Sequence, residues 1–375
     1  MDRTGSAALQ AAAGQMLVVG YQGTEAPSPA VSTALRAGHL GGVILFSRNI
    51  GPGPEGLQAL AAMNEAIHRC VPDGSAWPLV AVDQEGGRVR RLREGVTLVP
   101  PMAVVGRAGS RELAARVSEV VASEVGALGF NLNFAPVLDV FTNPANTVIG
   151  DRAFGVTAEH VAEMAGAFCV GHYTMGVIPC GKHFPGHGDT VADSHFELPV
   201  LLHSTERLEA VELVPFARAV ASRIPMLMTA HVLVPALDAL HPMTLSPVGI
   251  GRLLRQEMGY EGVVITDDLE MKAVADRYEI EDMVELGLAA GVDIFLICHT
   301  EEKWQRAFEQ LVRLAERDAG ARARVLASAA RVLALKRAQL PSSRYEVPSS
   351  LLAELDTAEH RAVMAELERA AGGAA

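Results

Sequence analysis

The chain has 375 residues, 49% hydrophobic and 20% charged, with a net charge of −12 at pH 7. That length suits one large domain or two ordinary ones, and the composition allows a large buried core. The acidic balance excludes an electrostatic footprint for nucleic acid and disfavours anionic membranes as partners.

The four cysteines form no C-x-x-C pair. Cys169, Cys180 and Cys298 sit in apolar stretches, so they read as small buried side chains in a reducing compartment. The N-terminal MDRTGSAALQAAAGQ has no basic segment followed by a continuous apolar one. No run of about 18 apolar residues occurs, so no membrane span is predicted and the cytoplasm is the expected location.

In chain order, apolar runs predict eight strands: Met16–Gly20, Gly42–Phe46, Leu79–Asp83, Leu132–Leu138, Ile178–His183, Met226–His231, Val263–Asp267 and Val292–Cys298. Most are continuous rather than alternating, as parallel strands covered on both faces should be. Between them, Glu55–His68 places Leu57, Leu60, Met63 and Ile67 at helical spacing. Ser110–Leu128 opens on a capping Ser110 with Glu112 in the first turn. Thr157–Tyr173, Thr205–Ala221 and Pro247–Met258 also read as helices.

Eight strands alternating with helices predict the α/β class and a single (β/α)8 TIM-type barrel. An open doubly wound sheet would usually carry a Gly-rich phosphate loop after its first strand, and YQGTEAP is not one. Glu301–Ala319 and Ala321–Ala338 read as extra C-terminal helices over the outside or bottom of the barrel. Residues 1–340 are therefore expected to form the barrel domain. Residues 341–375 are expected to form a helical extension, with a helix near Ser350–Arg369 and a frayed tail.

Active sites in such barrels lie where strands end and loops begin. Asp83, Glu85, Arg88 and Arg91 follow the third strand and Asp139 the fourth. The fifth strand runs into GKHFPGHGDTVADSH, the sixth ends at His231 and the seventh at Asp267 and Asp268. Ionisable residues thus collect at one end of at least five strands, which predicts a functional pocket there. His183, His187, Asp189, Asp193 and His195 are also plausible metal ligands, but their spacing matches no metal motif and H-E-x-x-H is absent. Consecutive strand residues face opposite ways, so only one of Asp267 and Asp268 can face the axis, and the sequence does not say which.

With VDQEGGRVRRL, FAPVLDV, GDRAF, KHFPGHGDT followed by DSH, MTAHV and GVVITDDLEM in order over roughly residues 15 to 300, the chain resembles glycoside hydrolase family 3, in its bacterial β-N-acetylhexosaminidase branch. KHFPGHGDT with DSH is the most specific of these motifs. The resemblance implies a retaining exo-β-N-acetylglucosaminidase that acts on terminal N-acetylglucosamine, with peptidoglycan fragments as its small carbohydrate partner. It implies Asp267 as nucleophile, His195 as acid/base held by Asp193, and Asp268 as a supporting, helix-capping residue. Asp83, Arg91, Arg152, Lys182 and His183 are implied as sugar contacts, and His231, inside MTAHV, as a pocket residue. No cofactor and no metal are implied.

Physical chemistry fits that assignment. A His with its ordinary pKa near about 6.5 can give and take a proton near neutral pH, and a neighbouring carboxylate would fix its tautomer. Gly186 and Gly188 suggest that the loop moves and carries His195 inward over bound sugar. A phosphorylase, a β-glucosidase, a metal-dependent hydrolase and a non-catalytic sugar-binding barrel remain the alternatives.

Overall fold

A computed structural model describes residues 3–72, 75–191 and 197–372. Its strands are β1 (Leu17–Val19), β2 (Gly42–Leu45), β3 (Leu79–Val82), β4 (Leu132–Asn133), β5 (Ile178–Phe184), β6 (Met226–Thr229), β7 (Val263–Ile265) and β8 (Phe295–Ile297). They are parallel and run in the order β7–β6–β5–β4–β3–β2–β1–β8. A parallel bridge between Ile265 and Ile294 joins the two ends of that order, with Thr266 N donating to Ile294 O at 3.0 Å. The expected (β/α)8 barrel is thus the fold of the chain.

The covering helices include α1 (Arg3–Gln15), α2 (Pro29–Ala37), α3 (Gly53–Cys70), α4 (Met102–Ala108), α5 (Arg111–Ala127), α6 (Ala158–Thr174), α7 (Thr205–Ala210) and α8 (Val214–Ala221). A π-helical segment follows at Pro247–Glu257, then α9 (Lys272–Ala275), α10 (Ile280–Ala290), α11 (Glu301–Arg317), α12 (Ala319–Gln339), α13 (Leu351–Glu354) and α14 (Ala358–Gly372). Ser110 caps α5 as expected, its Oγ accepting from Leu113 N at 3.2 Å.

Three boundaries differ from expectation. The fourth strand stops at Asn133, and Pro136 just beyond has no N–H for a ladder. The helix expected over Thr205–Ala221 is two helices, because Pro215 in the first turn of α8 cannot continue a helix from α7. The helix expected near Ser350–Arg369 is also two, separated at Asp356, whose φ is 45°.

Strand parity organises the core. Val18, Ile44, Leu79, Ala81, Ile178, Cys180, Val263 and Ile265 belong to one cluster inside the barrel. Their neighbours Leu17, Val19, Val43, Val80, Val82 and Val264 belong to the larger cluster between barrel and helices. Both faces are buried, so neither shows a polar alternation. Val332 and Leu335 of α12 join the interior cluster and plug its N-terminal end. Leu351, Leu355, Met364 and Leu367 belong to the outer cluster, so the C-terminal extension packs into the same core. No helix among the described residues is long and apolar enough to cross a membrane.

Lys336, beside the α12 plug, is buried, and its Nζ donates to Gln15 Oε1 and Gly41 O, both at 2.7 Å. No carboxylate lies within ion-pair distance of it among the described residues. A neutral amine has two N–H groups, which those two acceptors match, whereas an ammonium would bury a third donor. Burial accordingly pushes its pKa down to about 7. Between pH 7 and 10 the unfolded chain then binds more protons at this site than the folded one, so stability rises with pH there. Lys336→Met removes that dependence. Urea unfolding at pH 7 and 9.5 should therefore show the variant losing ground to the wild type as pH rises, and a stability difference equal at both would contradict this.

Candidate active site

Continuing the inward parity past the C-terminal strand ends places the polar residues. After Leu79 and Ala81 of β3 come Asp83 and Glu85; after Ile178 and Cys180 of β5 comes Lys182; after Val263 and Ile265 of β7 comes Asp267. With Phe46 beyond β2 and Cys298 beyond β8, these side chains line a cavity of about 470 Å³. Arg91, Arg152, His183, His187, Asp268, Glu270 and His299 are also among its lining residues.

The floor is a chain of charges. Lys182 Nζ lies 2.9 Å from Asp83 Oδ1 and 2.6 Å from Glu85 Oε1. Asp83 Oδ2 accepts from Arg91 at 3.0 Å, and Glu85 accepts from Arg152 through both oxygens, at 2.8 and 2.9 Å. Burial by itself would raise both carboxyls, but Lys182 and Arg91 hold Asp83 far below the usual carboxylate range, and Arg152 and Lys182 pull Glu85 down to about 2. Burial would discharge Lys182 and Arg152, and the same carboxylates instead keep both charged. Three cations against two anions leave that net with one positive charge, beside Asp267, Asp268, Glu270 and Lys272 of the same cavity.

A second buried group stands beside it. Asp139, fully buried, accepts from His183 Nδ1 at 2.7 Å and from the backbone N–H groups of His183 and His187 at 3.2 and 2.7 Å. Burial alone would raise its carboxyl, but His183 pulls it below its ordinary value. With Nδ1 turned to Asp139, Nε2 of His183 faces the cavity, 3.5 Å from an Arg152 nitrogen. The first residues of the loop leaving β5 are closely seated, with Asn146 Nδ2 donating to His187 O at 2.7 Å. A Cβ on Gly188 would lie 1.9 Å from Val140 O, so that glycine answers a close backbone approach.

The two adjacent aspartates differ in their partners. Asp268 Oδ1 accepts from Glu270 N and Cys298 N at 3.1 and 3.2 Å, and its Oδ2 lies 3.2 Å from His299 Nε2. Asp267 Oδ1 accepts from the next backbone N–H at 2.8 Å, and among the described residues its Oδ2 accepts from nothing. Asp268 caps and braces the turn, while Asp267 presents an open oxygen to the cavity.

His231 departs from the expectation that it lines the pocket. Its Nε2 donates to Asp268 O at 2.9 Å and its Nδ1 pairs with Thr244 Oγ1 at 2.8 Å, so both nitrogens are committed behind the cavity wall. Burial pushes its pKa down. It supports the Asp267–Asp268 turn from behind.

Asp83, Arg91, Arg152, Lys182, His183 and Asp267 therefore meet in one cavity. Asp193 and His195 lie outside the described residues. Sequence reasoning noted Glu85 and Asp139 at strand ends but gave them no role. For Glu85 the signal was its two-residue spacing from Asp83 on one face. Phe46 also escaped notice: it offers a ring to the mouth, with the guanidinium of Arg48 4.4 Å and that of Arg91 5.3 Å from its centre. Arg48 also reaches His299 Nδ1 at 3.1 Å, which gives His299 its place in the wall. Among the described residues, Asp189, His203 and Glu212 bring possible metal-ligand atoms within 4.8 Å of one another. However, Arg207 donates to both carboxylates and supplies the cation there.

A polar cavity with an open carboxylate, set in a net of paired cations and anions at a (β/α)8 mouth, fits a carbohydrate-cleaving enzyme. The glycosyl hydrolase family 3 N-terminal domain matches residues 8–335, and the chain belongs to that family of glycoside hydrolases.

Its relatives include a β-hexosaminidase of Alkalilimnicola ehrlichii, 42% identical over 76% of this chain and 81% of that protein. One of Pseudomonas aeruginosa is 40% identical over 75% and 81%. Among solved structures, the family 3 β-N-acetylglucosaminidase of a Paenibacillus species superposes with a TM-score of 0.88 at 38% identity, covering 97% of this chain and 68% of that one. NagZ of Neisseria gonorrhoeae bound to N-trifluoroacetyl-D-glucosamine gives 0.75 at 29% identity over 96% and 98%.

Removing the shared cation tests the charge net. Lys182→Met leaves Asp83 and Glu85 buried with one cation each, and should cost about 3 kcal/mol at pH 7, the low end for breaking a buried ion network. Urea unfolding at pH 7 measures this, and a loss below about 1 kcal/mol would contradict it.

Proposed function

We propose that the protein is a retaining exo-β-N-acetylglucosaminidase that removes terminal β-linked N-acetylglucosamine, with Asp267 as nucleophile. The observation that carries this reading is the open Oδ2 of Asp267 in the cavity beside a fully committed Asp268. The names of the relatives, β-hexosaminidase and β-N-acetylglucosaminidase, support the sugar. Cell-wall fragments are the proposed source and the cytoplasm the proposed setting.

In the first step Asp267 attacks the anomeric carbon as the bond to the leaving oxygen breaks, and His195 gives that oxygen a proton. In the second step His195 takes a proton from a water molecule, which attacks the same carbon and frees Asp267. Asp193 holds the His195 ring and balances its charge. Asp83 accepts from sugar hydroxyls, while Arg91, Arg152 and Lys182 donate to them. His183, fixed through Asp139, offers its Nε2 to the sugar.

Release of a chromogenic phenol from an N-acetyl-β-glucosaminide and from a β-glucoside, each with EDTA, with phosphate or with neither, tests the activity. Turnover of the N-acetyl substrate alone, indifferent to both additions, is expected. Sugar 1-phosphate in the phosphate arm would make it a phosphorylase, and loss with EDTA would make it a metal enzyme. Asp267→Asn should lose at least about 1,000-fold in kcat without a change in melting temperature, the scale of removing a covalent nucleophile. A variant that keeps a tenth of its activity would contradict the assignment. His195→Ala should spare substrates with good leaving groups and cripple those with poor ones. Equal losses on both would contradict its role as acid.

A further inference from the structure

Arg91 sits in the loop after β3, and its guanidinium reaches back to Asp83 Oδ2 at 3.0 Å. Its Nε is buried without a hydrogen-bond partner among the described residues. One side chain holds its backbone. Gln84 Oε1 accepts from Arg91 N at 2.9 Å and from Leu92 N at 3.1 Å, and Gln84 Nε2 donates to Leu92 O at 3.3 Å. Gln84 lies between the inward Asp83 and Glu85, so parity turns it the other way, and it is not among the cavity's lining residues.

Gln84 is itself gripped. Its backbone N–H donates to Asn133 Oδ1 and its carbonyl accepts from Asn133 Nδ2, both at 2.9 Å. Asn133 Nδ2 also lies 3.0 Å from His172 Nε2. Ser118 Oγ, 2.7 Å from His172 Nδ1, gives its own hydrogen to Phe168 O, so it accepts from His172. That fixes the ring as the Nδ1–H tautomer and leaves Nε2 to accept from Asn133. Burial pushes the His172 pKa down to about 3, which keeps the ring neutral and Nε2 an acceptor. Gln84, Asn133, His172 and Ser118 are all buried. A buried polar chain paired in this way has one low-energy arrangement, because turning either amide would set donor against donor.

We propose that Gln84 is a positioning residue for sugar binding: anchored through Asn133, it places Arg91 so that the guanidinium meets a sugar hydroxyl. This rests on the reading of Arg91 as a sugar contact. Asp83 and Lys182 stand at strand ends, whereas Arg91 is held at its tip by Asp83 and at its root by Gln84. With the root released, the loop shifts while the tip pair turns about Asp83. A donor displaced by about 1 Å loses most of a directional contact, on a scale that reaches a hundredfold.

The test uses the full chain, with free N-acetylglucosamine titrated by ligand-observed NMR and Arg91→Met as reference. Arg91→Met should weaken binding at least about tenfold, the scale of a hydrogen bond from a charged donor. Gln84→Met, which keeps the volume and loses the amide, should weaken it at least about fivefold, as for a donor shifted but not removed. Gln84→Glu, whose carboxyl oxygen still accepts from both N–H groups, should recover part of the loss. In the Arg91→Met background, Gln84→Met should change binding less than about twofold, because its effect runs through Arg91. Gln84→Asn, whose shorter amide falls short of both N–H groups, should show the same coupling and covers the case in which Gln84→Met does not fold. Equal losses in both backgrounds, or none in either, would overturn the role of Gln84 and leave Arg91 as a sugar contact. An Arg91→Met variant that binds the sugar as well as the wild type would overturn both.

Discussion

Lys182 is buried between Asp83 and Glu85, and each of those carboxylates holds an arginine on its other side. Buried ion pairs add little net stability, because the desolvation of the charges consumes most of their attraction. What this arrangement provides is fixed geometry. Every member is held by at least one other, so donors and acceptors keep their directions before any ligand arrives, and none must reorganise during reaction. The net as a whole keeps one positive charge and shares its cavity with Asp267.

That net exists because of strand parity. In a barrel with both faces of its strands buried, inward positions recur every second residue, and the first polar ones past the strand ends are forced into the mouth. Asp83, Glu85, Lys182 and Asp267 all obey this count. The plug formed by Val332 and Leu335 closes the opposite end, so the mouth is the open face of the barrel interior. Asp268 becomes a bracket instead: it ties the β7 turn to the backbone of Cys298 and Glu270, and His231 holds the same turn from behind.

The eight strands were legible because parallel strands leave continuous apolar runs, and the mouth was legible because its ionisable residues cluster at one end of those runs. The choice between Asp267 and Asp268 was not legible from pattern, since Val263, Val264 and Ile265 are all apolar. Resemblance named Asp267, and the inward position of Val263 and Ile265 gives the physical reason it faces the cavity. His231 misled because a motif position says that a residue matters without saying which way it points. The break between α7 and α8 was written in Pro215, whose place in a first turn only the flanking geometry reveals. Glu212, just before that helix, drew no attention at all, because its role depends on Arg207 and Asp189 from elsewhere in the chain.

The central claim is that Asp267 forms a covalent bond to the sugar. A slow fluorinated N-acetylglucosaminyl fluoride, which lets the glycosyl-enzyme accumulate, tests it directly when the trapped protein is digested and sequenced by mass spectrometry. The account predicts one sugar on the peptide containing Thr266, Asp267 and Asp268, with fragmentation placing it on Asp267. A sugar on Asp268, or steady turnover of this substrate with no adduct at any time, would contradict it.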